Sequence, residues 1–162
     1  MKKFELSSPA SLHFSGDIIV TDPCYFIPGK EPEDLWAELC YAWEKDIEHR
    51  DTGVITFEDG IKILYSNTAN GDGEYPVYPG RNGKSVHNNT TGVDAGMIAV
   101  ISVEDVQKLN PEFDVNDKWY PRINDFNGTI QADENGNFIG DLEVDTHNSI
   151  DEEPYNDEDN YE

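Results

Sequence analysis

Three short segments set side chains capable of chemistry beside residues that bend the backbone: Thr21-Asp22-Pro23-Cys24-Tyr25, Gly71-Asp72-Gly73-Glu74-Tyr75-Pro76-Val77 and Gly92-Val93-Asp94-Ala95-Gly96. Each couples an acid to glycine or proline at an expected strand boundary, so carboxylates could converge at one end of a sheet. Asp22 could serve as a metal ligand or general base, with Cys24 beside it as a nucleophile or soft ligand. The same residue types also make a turn-capping aspartate before a proline and a buried small thiol, and this is the reading the residues favour. Asp94 fits a carboxylate that accepts backbone N–H groups where a loop enters a strand, with Gly96 allowing close packing. Paired with Asp22 it could instead hold a divalent cation, although two carboxylates make a thin ligand set. Cys24 and Cys40 are far apart and His13, His49, His87 and His147 are scattered, so no zinc spacing exists and no metal is expected.

A second group of candidates lies on the polar connection over residues 79–92, where Arg81, Lys84 and His87 are followed by Asn88, Asn89, Thr90 and Thr91. That composition could bind an anionic small ligand such as a nucleotide, with Tyr25 and Tyr75 nearby in the pattern; a solvated loop is the plainer reading. Asp133-Glu134-Asn135-Gly136-Asn137 superficially matches a calcium loop, but Phe138 stands where that loop needs glycine and Val144 where it needs glutamate, so a hairpin turn is expected. No phosphate-cradling glycine loop or nucleophile elbow is present, and no cofactor is expected.

Several elements must position these residues. Ser11–Thr21 becomes β-branched toward its end and should form a strand stopped by Pro23. From Pro32 to Arg50, Leu35, Trp36, Leu39, Cys40, Trp43 and Ile47 recur on one helical face, which predicts one long helix. Asp59-Gly60 and Asn135-Gly136 predict hairpin turns, and Val93–Ile101 reads as one buried strand. Ser102-Val103-Glu104-Asp105 opens a short helix that Pro111 stops. From Thr146 onward apolar residues give way to acids, so residues 146–162 are expected to be a disordered tail behind a single domain over 1–145. The expected fold is α+β: six to eight strands in a largely antiparallel sheet or partly open barrel, packed against one long helix.

The charge narrows the partners. Thirty-four acids against eleven bases give a net charge of −23, which disfavours direct contact with a nucleic acid. No apolar run reaches the length of a membrane span and no signal core follows Lys2 and Lys3, so a cytoplasmic protein is expected. The acids are uneven: the last 22 residues hold ten acids and no lysine or arginine.

Taken in order, the Asp22-Pro23-Cys24-Tyr25 element, the Gly73-Glu74-Tyr75-Pro76-Val77 strand and the Val93-Asp94-Ala95-Gly96 strand resemble a poorly characterised family of bacterial and phage proteins of unknown function. The resemblance spans roughly residues 16–106 and carries no catalytic assignment. It implies, together with the acidity, a phage-encoded, non-enzymatic binding protein that engages a basic, nucleic-acid-binding protein in the host cytoplasm. The alternative is a protein that binds or hydrolyses a small nucleotide near Asp22, Tyr75, His87 and Asp94.

Overall fold

The computed structural model describes residues 3–29, 34–86 and 89–147. Among them the chain forms eleven strands and two short α-helices. In chain order these are β1 (Phe4–Ser7), β2 (Ser11–Thr21), α1 (Leu35–Lys45), β3 (Thr52–Phe57), β4 (Lys62–Asn67), β5 (Gly73–Tyr78), β6 (Lys84–Val86), β7 (Thr90–Val93), β8 (Met97–Ser102), α2 (Val103–Leu109), β9 (Arg122–Ala132), β10 (Phe138–Gly140) and β11 (Glu143–Val144). The strands lie in the order β1-β3-β4-β8-β2-β9-β10-β11-β5-β7, every pair antiparallel, and β6 adds to β9 beside Arg122–Asn124. The two end strands, β1 and β7, do not pair with each other, so the sheet stays open.

The sheet has two apolar faces along its middle. One face gathers Phe14, Ile18, Val20, Leu64, Val100, Phe126, Ile130 and Phe138 with Tyr75, Val77 and Val93 from the far end of the strand order. The opposite face of β2, β3, β4 and β8 packs Ile19, Ile55, Ile63, Tyr65 and Ile101 against Leu35, Leu39 and Trp43 of α1 and Val106 and Leu109 of α2. Strands covered on both sides need apolar residues at consecutive positions, which is why β8 reads Met-Ile-Ala-Val-Ile without polar alternation. Each fully buried large side chain contributes roughly 1.5–3 kcal/mol, so three residues anchor α1 despite its modest length.

The expectation of one long helix packed on the sheet is overturned. In place of a helix over 32–50 the structure has α1, eleven residues long; the seven-residue α2 is the short helix expected after Ser102, and the sheet has eleven strands rather than six to eight. The shortening has a local cause at the C-terminal end. Asp46 accepts from the His49 backbone N–H (3.1 Å) and faces its ring (2.9 Å), while Arg50 turns back to donate to the carbonyls of Trp43 and Glu44. These bonds satisfy the last carbonyls of α1 and start a turn, leaving Ile47, expected on the buried helical face, 79% exposed.

The run Val93–Ile101 is two strands with different partners. β7 pairs with β5, β8 pairs with β4 and β2, and Asp94-Ala95-Gly96 is the junction between them. Both expected hairpin turns form: Gly60 and Gly136 take φ of 96° and 91°. Gly136 is also a point of close approach, since a Cβ there would lie 2.7 Å from the Ala69 amide nitrogen. Thr146, expected to begin the tail, is fully buried: it donates to Gly136, accepts from Ala69, and its amide binds Asn137. The rest of the expected tail, from Asn148, lies outside the described residues. No helix among the described residues is long and apolar enough to cross a membrane.

Candidate functional site

Where β2 ends, Asp22 caps a single 3-10 turn over Pro23–Tyr25, with proline at the position where a missing N–H costs nothing. Its carboxylate is fully buried. Oδ1 accepts from the Cys24 amide at 2.9 Å, and Oδ2 accepts from the amides of Asp94 and Ala95 at 2.9 and 2.6 Å. Three backbone donors on a buried anion replace the water it has lost. Asp22 therefore fastens the end of β2 to the β7–β8 junction, 72 residues away in sequence.

The same turn presents Tyr25, whose hydroxyl donates to Asp94 Oδ2 at 2.5 Å. Burial, then the accepting Asp94 carboxylate, pushes the Tyr25 phenol well above its usual range. Its ring lies 5.7 Å from that of Tyr120, which in turn lies 4.7 Å from Phe113. Tyr120 is also shifted upward, by burial and by the neighbouring Asp117 charge.

A pocket of about 430 Å³ opens beside the junction, lined by Trp36, Cys40, Trp43, Arg50, Asn67 and Met97 with Ala95 on its rim. Cys40 is exposed there, but burial and the Asp22 charge raise its thiol pKa, so it stays protonated near neutral pH and is a poor nucleophile. Cys24 is buried. Among the described residues no group of three or more His, Cys, Asp or Glu side chains is arranged to hold a metal ion.

Compared with known proteins, the chain matches no family, no curated protein and no solved structure. Its site must be read from its own residues.

Of the seven candidates named from sequence, the structure brings three together: Asp22, Tyr25 and Asp94. Tyr75 is buried in the sheet interior and its hydroxyl donates to the Gly71 carbonyl at 2.8 Å, closing its own loop. Arg81 lies in the exposed turn between β5 and β6, and Lys84 is exposed at the start of β6 opposite Asn124. His87 lies outside the described residues. The structure adds an aromatic side to the junction, Tyr120 and Phe113 beside Tyr25, with the Trp119 ring over Gly92. Its sequence signal is Trp119-Tyr120-Pro121, two large rings immediately before the proline that precedes β9.

The geometry limits the chemistry. Asp22 is enclosed and committed to three amides, which suits a structural clip better than a base that must reach a substrate. Asp94 is exposed, and one of its oxygens is bonded to Tyr25, so its carboxylate can accept further donors from solvent or from a bound cation.

Proposed function

We propose that this chain is a non-enzymatic acidic binding protein, phage-encoded, that engages a basic, nucleic-acid-binding protein in the host cytoplasm. The observation that carries this reading is how little of the negative charge is offset. Arg122–Asp17 (2.9 Å) and Lys108–Glu104 (3.9 Å) pair a base with a carboxylate, but eleven lysines and arginines cannot neutralise thirty-four acids. Many aspartates bond to backbone amides a few residues on, including Asp46, Asp114, Asp117, Asp133 and Asp145. A carboxylate bonded to an amide remains an anion, so these turns hold charge in fixed positions at the surface. Rigid like charges favour association with a surface of the opposite sign and speed its encounter.

A small nucleotide near Asp22, Tyr75, His87 and Asp94 is the weaker reading. Asp22 and Tyr75 are both buried and bonded within the fold, and the exposed Asp94 would repel a phosphate.

The test is capture from bacterial lysate on the immobilised full chain, identification of what is retained, and reconstitution with the purified candidate. The expected partner is basic, binds nucleic acid, and loses affinity by on the order of tenfold or more as salt rises through the physiological range. Failure to retain any basic protein, or a reconstituted complex indifferent to salt, overturns the reading.

A further inference from the structure

The outer face of β11, β5 and β7 carries an ordered strip of aromatic and acidic side chains. In antiparallel strands directly opposed residues share a face, and residues two apart on one strand share it as well. Glu143 on β11 is opposite Tyr78 on β5, and Glu74 on β5 is opposite Gly92 on β7. Along β5 the outward set is therefore Glu74, Pro76 and Tyr78, while Tyr75 and Val77 point inward and are buried. Gly92 leaves room for the indole of Trp119: a Cβ there would lie 3.0 Å from Trp119 Cζ2. The Trp119 amide is tied to Asp117 Oδ1 at 2.9 Å. Across the face the order is Glu143, Tyr78, Pro76, Glu74, Trp119, with Tyr78 55% and Trp119 48% exposed.

Solvent-facing rings flanked by carboxylates match one chemistry closely. A guanidinium stacks on indole or phenol through its planar face and presents paired N–H donors to a carboxylate at its edge. Glu74 and Glu143 lie beside residues four apart on β5, a separation of about 13 Å at the usual rise per residue. That spacing suits two arginines on one side of an extended segment.

We infer that this strip is the docking surface for an arginine-bearing segment of the basic protein partner, with guanidinium groups stacked on Trp119 and Tyr78 and bonded to Glu74 and Glu143. The inference rests on the acidic-binding reading above and deepens it by naming the surface and the preferred cation.

The experiment uses the full chain and two probes of equal charge, deca-arginine and deca-lysine, titrated by calorimetry at low salt. Deca-arginine should bind at least about fivefold more tightly than deca-lysine. The double variant Glu74→Gln/Glu143→Gln should weaken deca-arginine by about tenfold, and Tyr78→Ala and Trp119→Ala by severalfold each. The control double variant Glu48→Gln/Glu112→Gln, which removes two exposed charges elsewhere, should stay within about twofold. Because Trp119 also covers Gly92, the deciding variants are the glutamine pair and Tyr78→Ala, with unchanged melting temperatures as the check on folding. Equal loss in both double variants, or equal affinity for the two peptides, overturns the strip and leaves the acidic-binding reading standing. No salt-sensitive binding of either peptide to the unaltered chain overturns both.

Discussion

The junction around Asp22 and the outer face of β11, β5 and β7 use carboxylates in opposite ways. Asp22 is fully buried, and its oxygens are taken by the amides of Cys24, Asp94 and Ala95. Glu74 and Glu143 stand on a face turned to solvent, beside exposed rings. The short side chain of aspartate reaches back to nearby backbone, whereas glutamate on a strand projects away from it. Position, rather than charge, separates the acid that builds the fold from the acid on the outer face of the sheet.

Removing the buried acid is the largest perturbation of that contrast. Asp22→Ala should destabilise the protein by about 3 kcal/mol, because three backbone donors lose their acceptor in an enclosed site. Asp22→Asn keeps the shape and part of the acceptor capacity and should cost about half as much. Equilibrium urea unfolding measures both; a loss below about 1 kcal/mol for the alanine variant would show that the β2 end is held by packing alone.

Chain ends come next in size. A chain ending after Val144 loses Thr146, whose hydroxyl and amide join Gly136, Ala69 and Asn137. It should unfold about 2 kcal/mol more easily than a chain ending after His147, which should match the full protein within about 0.5 kcal/mol. Equal stability of the two truncated chains would place the end of the folded unit before Thr146, as the fall in apolar content at that point suggests.

Why that content misplaces the end explains much of what the sequence conceals. Thr146 is polar and surrounded by acids, yet it is buried because the Asn135-Gly136 turn and Ala69 close around it. Turns at Asp59-Gly60 and Asn135-Gly136 were legible because positive φ is a local demand met by particular residues. Partners were not. The four residues of β1 and three of β6 carry no alternation long enough to read, and they are strands because β3 and β9 lie beside them. The α1 periodicity continued to Ile47, but Asp46 and Arg50 ended the helix through side-chain bonds to the backbone, which compete with propensity invisibly to a pattern count. At the site, Asp22 and Asp94 were legible as acids at strand boundaries; that one binds the backbone of the other depends on β2 and β7–β8 meeting. The strip of Glu143, Tyr78, Glu74 and Trp119 needs register, a quantity absent from any single segment.

Tyr25 lies between the two regimes, being half-buried and bonded to an exposed acid. Tyr25→Phe should cost about 1 kcal/mol at neutral pH, where the phenol donates to Asp94. The alkaline limb should also change. The folded pKa of Tyr25 is raised above its unfolded value near 10.0, so the unfolded chain releases that proton first as pH rises. The stabilisation is fully present below pH 10 and is lost above it; Tyr65 and Tyr120 shift in the same direction and add to the effect. Unfolding followed from pH 8 to 11 should therefore steepen above pH 10, less so in Tyr25→Phe. An unchanged alkaline limb in that variant would assign the effect to Tyr65 and Tyr120.

The smallest expected effect is on the outer face, and its smallness is informative. Glu143→Gln should alter stability by no more than about 0.5 kcal/mol, since its side chain is exposed on the outer side of the sheet and removing a like charge relieves repulsion in so acidic a chain. Binding of an arginine peptide should nonetheless fall in the same variant. Separation of the two quantities, with stability fixed and affinity lost, is the behaviour of a surface kept for a partner; a matching loss of stability would mean that Glu143, like Asp22, serves the fold.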